Sequence, residues 1–517
     1  MGLSPPWIYP FLFAFYPILH LYAENADRLS PAAVIAPAAI SLSTVLILLL
    51  GTNAVLKDVH KSACLVSLFV VLFFSVNHLL SLINEARFVN FHFSQGRYQI
   101  LLFLVLFTAC AVPVLRATRN LQGLSRTMTV IGTLLVVFNV ARVAVAAVPD
   151  RATWTPAAPQ ESKPAVSATT VGERPDIYYI ILDGYASSIS LRRLFGYDNH
   201  EFENFLKSRG FFIASESRSN YQNTMLSLAS TFNMNYLRPS KEAFQETAGN
   251  NLVWQLLKEY GYRIIPLESW SRREKGLANR DYLGSDAWVG LSEFSLTLLR
   301  TSAADPILAR LHVYDSAVRQ TVLKQLDKFE DVADEKGPKL VYAHIMSPHP
   351  PYVFGPDGEA AGDFTLDSLN IFRSPWDYGD GYLNQVKFIN KRMIRVVESL
   401  LNKYSNTPFV MIIQADHGPK FVRREDERPE EYYETRFNIM NTYLLPGGGS
   451  RLLYENISPV NTFRVIFNRY FQKDYPILQD KHYFSSNDAM PFNLREVTDK
   501  FRRSVPWRRG ALSSHPG

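Results

Sequence analysis

Long apolar runs without a polar helical stripe dominate the first 148 residues of the chain. They fall at Pro6–Tyr22, Val34–Leu56, Ala63–Ile83, Tyr98–Leu115 and Thr127–Val148. Each is close to the roughly 20 residues a helix needs to cross about 30 Å of hydrocarbon. A soluble bundle would show polar faces at a 3.6-residue period, and Leu65–Ser75 (LVSLFVVLFFS) shows almost none. Residues 1–148 are therefore predicted to form five transmembrane helices. Residues 149–175 carry five Pro and no apolar period, as a semi-extended linker would. From Asp176 the pattern changes to short apolar runs separated by amphipathic stretches. Ile177–Leu182, Arg263–Leu267, Leu340–His344 and Phe409–Gln414 read as strands covered on both faces. Glu201–Ser208, Asn251–Tyr260 and Tyr382–Lys403 read as helices, the first two ending before Gly210 and Gly261. The prediction is one α/β domain over 176–499, with a mostly parallel sheet flanked by helices. A basic tail (500–517) follows.

Charge sharpens this division. The 517 residues carry a formal charge of +6, and the mean hydropathy of −0.06 averages two unlike regions. Nine basic residues stand against four acidic ones in 1–149, while the remainder has 45 basic and 44 acidic groups. The basicity thus belongs to membrane loops, and a near-neutral external domain without a basic-aromatic patch argues against a nucleic-acid partner. The 57–61 and 116–126 loops hold five basic residues, and the alternate loops hold Arg28, Arg87 and Arg97. The positive-inside rule then puts the N-terminus in the cytoplasm and everything after Val148 outside. No Lys or Arg precedes Arg28, so the first segment lacks the basic start of a cleavable signal peptide and is expected to remain as a span. Arg142, two turns from the end of the fifth span, reads as a snorkelling residue in preference to a functional intramembrane charge. Both cysteines, Cys64 and Cys110, lie in spans, so the external domain has neither disulfides nor thiol chemistry.

Candidate chemistry clusters at strand ends. IILDG places Asp183 after the first strand, and IIQADHG places Asp416 and His417 after another. Ligands bind at the carboxyl edge of open α/β sheets, and oxygen and nitrogen donors there suit Zn²⁺, Mn²⁺ or Mg²⁺. Either Asp alone could equally cap its following turn. In SRSNYQNTMLSLAS, Thr224 opens an apolar helical run 41 residues after Asp183. A hydroxyl there sits in a field that favours its alkoxide and a bound anion, although an ordinary helix cap has the same look.

An Asp-Gly after the first strand, a Thr opening a helix about 40 residues on, and a late Ala-Asp-His-Gly together resemble the alkaline phosphatase and sulfatase superfamily. With five spans, a linker and an external domain, nearly the whole chain resembles its membrane-bound envelope transferases. These are the lipoteichoic acid synthases, phosphoethanolamine transferases and phosphoglycerol transferases. The resemblance implies one divalent cation (Mn, Zn or Mg) held by Asp183, Thr224, Asp416 and His417, with Thr224 as nucleophile. His344 and His349, in YAHIMSPHPPYVF, match the family's mid-domain His-Pro segment that contacts the phosphoryl group or leaving oxygen; His349 is the stronger candidate. Two departures stand out. Related transferases usually carry Glu where this chain has Asp183. The stretch after Asp-His-Gly (PKFVRREDERPEEYYETRF) lacks the further His found in phosphoethanolamine transferases, which removes the basis for a second zinc. Arg423 and Arg424 in that stretch are candidates to hold anionic substrate, or plain solvated surface charges.

A sulfatase that uses formylglycine needs Cys or Ser in C/S-x-P-x-R soon after the first metal ligand. This domain has no Cys, and the matching Ser504–Arg508 lies in the tail. The expected enzyme is therefore a sulfatase-like phosphotransferase in a bacterial inner membrane. It would move phosphoglycerol or phosphoethanolamine from a phospholipid donor to an envelope glycan or lipid through phospho-Thr224. The rival readings are a phosphodiesterase or phosphatase, and a non-catalytic envelope-assembly protein.

Overall fold

A computed structural model describes residues 7–24, 31–85, 96–118, 120–146, 174–237, 251–267, 293–361, 379–405, 407–421, 429–485 and 494–502. The chain divides into two compact units: Met1–Ser167 with Asp286–Tyr314, and Ala168–Ser285 with Asp315–Gly517.

The N-terminal unit contains α1 (Tyr9–Glu24), α2 (Ile35–Leu56), α3 (Val59–Glu85), α4 (Gly96–Arg116) and α5 (Gln122–Ala146). Among the described residues, four helical segments are long and apolar enough to cross a membrane: Pro31–Leu56, Val59–Leu80, Tyr98–Arg116 and Gln122–Val145. This corrects the expectation of five spans to four among the described residues. The first segment does form a helix, but α1 has 16 residues. At 1.5 Å per residue that is about 24 Å, short of the ~30 Å hydrocarbon core. It packs against α2, α3 and α5, burying Tyr9, Ala14 and Ile18. Its direction follows that of α5. Gly132 lies against Leu12, and Arg142 donates to Glu24 Oε1 at 2.6 Å. Arg142 is thus ion-paired, and it also reaches Asn139 Oδ1 at 3.4 Å.

The second unit runs β1 (Ile177–Leu182), α6 (Ser188–Phe195), α7 (His200–Ser208), β2 (Phe212–Ile213), α8 (Thr224–Asn233), α9 (Leu252–Glu259) and β3 (Arg263–Pro266). Next come α10 (Glu293–Arg300) and α11 (Asp305–Arg310), which belong to the N-terminal unit. The chain continues through α12 (Val313–Ala333), β4 (Lys339–Ile345), α13 (Gly379–Lys403), β5 (Val410–Gln414), α14 (Pro429–Phe437), β6 (Asn441–Leu444) and α15 (Thr462–Tyr470). It ends in a small hairpin, β7 (Tyr483–Ser485) and β8 (Leu494–Glu496). The main sheet has the order β2-β6-β5-β1-β4-β3. The pairs β1–β4, β1–β5 and β3–β4 are parallel; β2 and β6 form an antiparallel edge.

β1 explains why the sheet is covered on both sides. Tyr178, Ile180 and Leu182 point into a core built with α7, α12 and α13. Ile177, Tyr179 and Ile181 point into an opposite core built with α8, α9 and α15. A two-residue period with both phases apolar leaves no face for water. On the second face Tyr179 meets Phe232 and Phe463 edge-on, with ring centroids at 5.6 and 5.1 Å, an arrangement that aromatic quadrupoles favour. All four strands expected from the sequence are present within one residue at each end. β2 has only two residues and β6 (NTYL) is half polar, so neither shows a continuous apolar run in the sequence.

Candidate metal centre

Strand order brings the candidate ligands together. β1 lies between β4 and β5, and Ile181 is in register with both His344 and Gln414. Asp183 and Asp416 each follow two residues later, so parallel pairing delivers both carboxylates to the same sheet edge. One Asp183 oxygen, one Asp416 oxygen and one His417 nitrogen lie within 4.8 Å of one another, and all three residues are buried.

Hydrogen bonds aim these groups and leave atoms for a cation. Asp183 Oδ2 accepts from His344 Nε2 at 3.0 Å, and Asp416 Oδ1 accepts from the Gly184 amide at 3.1 Å. Asp183 Oδ1 and Asp416 Oδ2 are buried without a hydrogen bond. His417 Nδ1 lies 3.0 Å from the Gly418 carbonyl, which can only accept. That bond puts the proton on Nδ1 and leaves the Nε2 lone pair facing Asp416 Oδ2 at 3.4 Å and Asp183 Oδ1 at 3.7 Å. A ligating His has this tautomer, its other ring nitrogen donating to a carbonyl or carboxylate. Two unsatisfied carboxylate oxygens and an unprotonated imidazole nitrogen fit a divalent cation, and the buried carboxylate oxygens are costly without one. Burial alone would raise the Asp183 carboxyl, but the imidazoles of His349, His344 and His417 outweigh it and hold the group below the usual carboxylate range. Burial pushes His417 down against the pull of Asp416.

Thr224 joins the cluster, its Oγ1 3.2 Å from His417 Nε2. It does not cap α8. Asn223 does, its side chain accepting from the Leu226 amide at 3.0 Å, which leaves the threonine hydroxyl free to face the ligands from the first helical position. α8 is pinned from below by Ser227 Oγ, which donates to the Asp416 carbonyl at 2.6 Å. His349 stands at the rim, its ring centroid 6.2 Å from that of His417, with its amide donating to the Asp183 carbonyl at 3.0 Å. Arg423 and Arg424 lie outside the described residues.

One buried residue at this site has no motif to announce it. Arg436, on α14, donates from Nη1 to the Gly418 carbonyl at 2.6 Å and from Nη2 to the Gln222 carbonyl. It ties the loop of His417 to the segment that ends in Thr224. Gly418 is required beside it, because a Cβ there would run into the Thr435 carbonyl oxygen.

The Sulfatase family model matches residues 175–490, more than half of the chain, and the protein belongs to that family of enzymes. No curated protein matches the chain in sequence. Among solved structures it is similar to the C-terminal periplasmic domain of EptC from Escherichia coli, at 12% identity and a TM-score of 0.38, covering 63% of this chain and 93% of that one. It is also similar to the integral membrane lipooligosaccharide phosphoethanolamine transferase A from Neisseria meningitidis, at 15% identity and a TM-score of 0.37, covering 88% and 92%. The periplasmic domain of phosphoethanolamine transferase EptC from Campylobacter jejuni aligns at 12% identity and a TM-score of 0.36, covering 59% and 92%.

Proposed function

We propose that the protein is a membrane-anchored transferase that moves a phosphoglycerol or phosphoethanolamine group from a phospholipid to a cell-envelope glycan or lipid. The observation that carries this reading is the Thr224 hydroxyl. It is released from capping by Asn223 and faces His417 Nε2 at 3.2 Å, beside two unpartnered carboxylate oxygens.

Asp183, Asp416, His417 and Thr224 would hold one divalent cation, of which Mn, Zn and Mg suit the donor set. When bound, it lowers the pKa of the threonine hydroxyl and neutralises phosphoryl charge. Thr224 gives its hydroxyl proton to solvent, and Oγ1 attacks phosphorus as the alkoxide while the bond to the diacylglycerol oxygen breaks. His349 protonates the departing alkoxide, and diacylglycerol stays in the bilayer. The substituted phosphate is then a diester on Thr224. An acceptor hydroxyl gives its proton to His349, restoring the imidazolium, and attacks phosphorus, and the P–Oγ1 bond breaks to return Thr224 as the alkoxide. His344 acts as a positioning residue, fixing the Asp183 carboxylate through Oδ2. The α2–α3 and α4–α5 turns lie in the cytoplasm and the catalytic domain outside it. A cytoplasmic N-terminus requires the short α1, which runs parallel to α5, to cross with the other four helices. An anchored site meets its lipid donor at high effective concentration.

The full chain in nanodiscs containing phosphatidylglycerol or phosphatidylethanolamine, supplied with each cation in turn, tests the proposal. Intact-mass spectrometry is expected to find a head-group phosphate on Thr224 together with released diacylglycerol, and neither in Thr224→Ala. Folded protein giving neither product with any cation would overturn it. The Sulfatase match favours a second reading, hydrolysis with water as acceptor. Free head-group phosphate forming at the same rate with and without a glycan acceptor would select it.

A further inference from the structure

The segment from Glu293 to Tyr314 lies between catalytic-domain elements in sequence, yet it packs within the N-terminal unit. Phe294 and Leu298 of α10 are buried with Ile18, Leu19 and Tyr22 of α1, and Val136 and Val143 of α5 pack on the same cluster. The turn after α10 is held by side chains from the apolar helices. The Ser302 carbonyl accepts from Asn77 Nδ2 at 3.2 Å and from Gln99 Nε2 at 3.0 Å. Asn77 also donates to the Arg300 carbonyl at 3.0 Å, and the Ala303 amide donates to the Phe73 carbonyl at 2.7 Å. Polar side chains inside spanning helices are expensive unless they have partners, and here they are spent on backbone from a distant part of the chain. Asn77 lies eight residues before the end of α3, about 12 Å at 1.5 Å per residue. Gln99 lies three residues into α4. The turn is therefore seated near the ends of these helices, at the depth of a membrane interface.

Beyond the turn, α11 packs on α4 and turns apolar groups outward. Ile307 is 54% exposed and Leu311 65%, one helical turn apart. On α4 itself, Leu101, Leu104 and Val105 are each more than half exposed. Arg300 and Arg310 are exposed in the same segment. Exposed apolar side chains in a short segment that also exposes two Arg, packed on a helix apolar enough to cross a membrane, match an interfacial element.

We propose that residues 293–312 form a membrane-interface segment whose partner is the lipid bilayer. Ile307 and Leu311 enter the acyl boundary, and Arg300 and Arg310 meet anionic phospholipid head groups. The chain then returns to the bilayer between β3 and α12. The inference is independent of the chemistry at Thr224. It rests on the helices crossing a bilayer.

The test uses single cysteines at Ile307 or Leu311 in the full chain with Cys64→Ala and Cys110→Ala. Each is labelled with an environment-sensitive fluorophore and reconstituted in phosphatidylglycerol-containing nanodiscs. Ile307→Cys and Leu311→Cys labels should lose most of their emission to lipids with shallow doxyl groups. A Leu452→Cys label on the catalytic domain should not. A Leu104→Cys label should be quenched by deeper doxyl groups. If Leu104 is quenched while 307 and 311 keep a solvent-like emission, the interface proposal fails although the membrane reading stands. If Leu104 itself is not quenched, the membrane reading fails and takes the proposal with it. Blue-shifted emission at 307 and 311 that doxyl lipids leave untouched would mean a protein covers this face, and would also overturn it.

Discussion

Asp416→Asn separates a cation site from a merely buried acidic cluster. In the metal-free protein two carboxylates share a buried space, with Asp183 Oδ1 and Asp416 Oδ2 unsatisfied. Ligand atoms within 4.8 Å of each other repel by about 3 kcal/mol at an effective dielectric near 20. Asparagine at 416 keeps its oxygen as acceptor for the Gly184 amide and replaces Oδ2 by an NH₂ donor. That donor lies where His417 Nε2 offers its lone pair at 3.4 Å. The metal-free variant should therefore be at least as stable as metal-free wild type. Cation binding reverses the order. At a hundredfold excess over Kd a ligand adds about 2.7 kcal/mol to the wild type. For the matched domain, residues 175–490, an unfolding entropy of about 2.1 cal/mol/K per residue converts this to about 4 °C in Tm. The variant should show almost none of this shift. Scanning calorimetry of the detergent-solubilised full chain, stripped with chelator and then titrated with Mn²⁺, Zn²⁺ or Mg²⁺, reads both effects. Equal shifts in the two proteins, or a metal-free variant several kcal/mol less stable than wild type, would refute the reasoning.

Three further outcomes follow from single contacts. Arg436→Met removes the two donors that join the Gly418 and Gln222 carbonyls. Diacylglycerol release should fall about 10–100-fold, as for other residues that orient ligands, and Arg436→Lys should not rescue it because one ammonium cannot span both carbonyls. Asn223→Ala should cost about 1 kcal/mol in thermal unfolding by uncapping α8 yet still form the Thr224 adduct. Thr224→Ala should leave stability near wild type and abolish the adduct. His482, whose Nδ1 donates to the Ser219 carbonyl at 2.8 Å, is pushed by burial down to about 4 from an ordinary value of 6.5. The folded state thus resists its protonation. Its contribution is whole above pH 6.5 and falls by up to about 3 kcal/mol as the pH drops to 4. His482→Phe should flatten that part of a stability-against-pH profile measured by denaturant unfolding.

Local pattern carried a large share of this protein. Ile177–Leu182 is apolar at every position, which only a strand covered on both faces accommodates, and Asp183 and Asp416 were legible as strand-end acids because each ends such a run. The apolar N-terminal stretches were equally plain, since crossing hydrocarbon demands length and composition that no soluble helix needs. The exception was α1: its apolar run, Pro6–Tyr22, has 17 residues and the helix it forms has 16, both short for a span. Beyond this, long-range packing decided. Nothing between residues 183 and 416 says that β1 lies between β4 and β5. That order alone sets His344 on Asp183 and Asp416 beside it. Asn223 and Thr224 are both acceptable caps by residue type, and only the position of His417 across the sheet assigns one to the helix and the other to the site. Arg436 sits in a charged, helix-forming stretch that looks solvated, and it is buried because two carbonyls from separate loops converge on it. The 293–314 segment reads as catalytic-domain sequence until Asn77 and Gln99 claim its backbone. Periodicity reports which side of an element is dry. Which elements then share that dry interior depends on shape and hydrogen-bond complementarity between residues hundreds of positions apart, and that is settled only when the chain has folded.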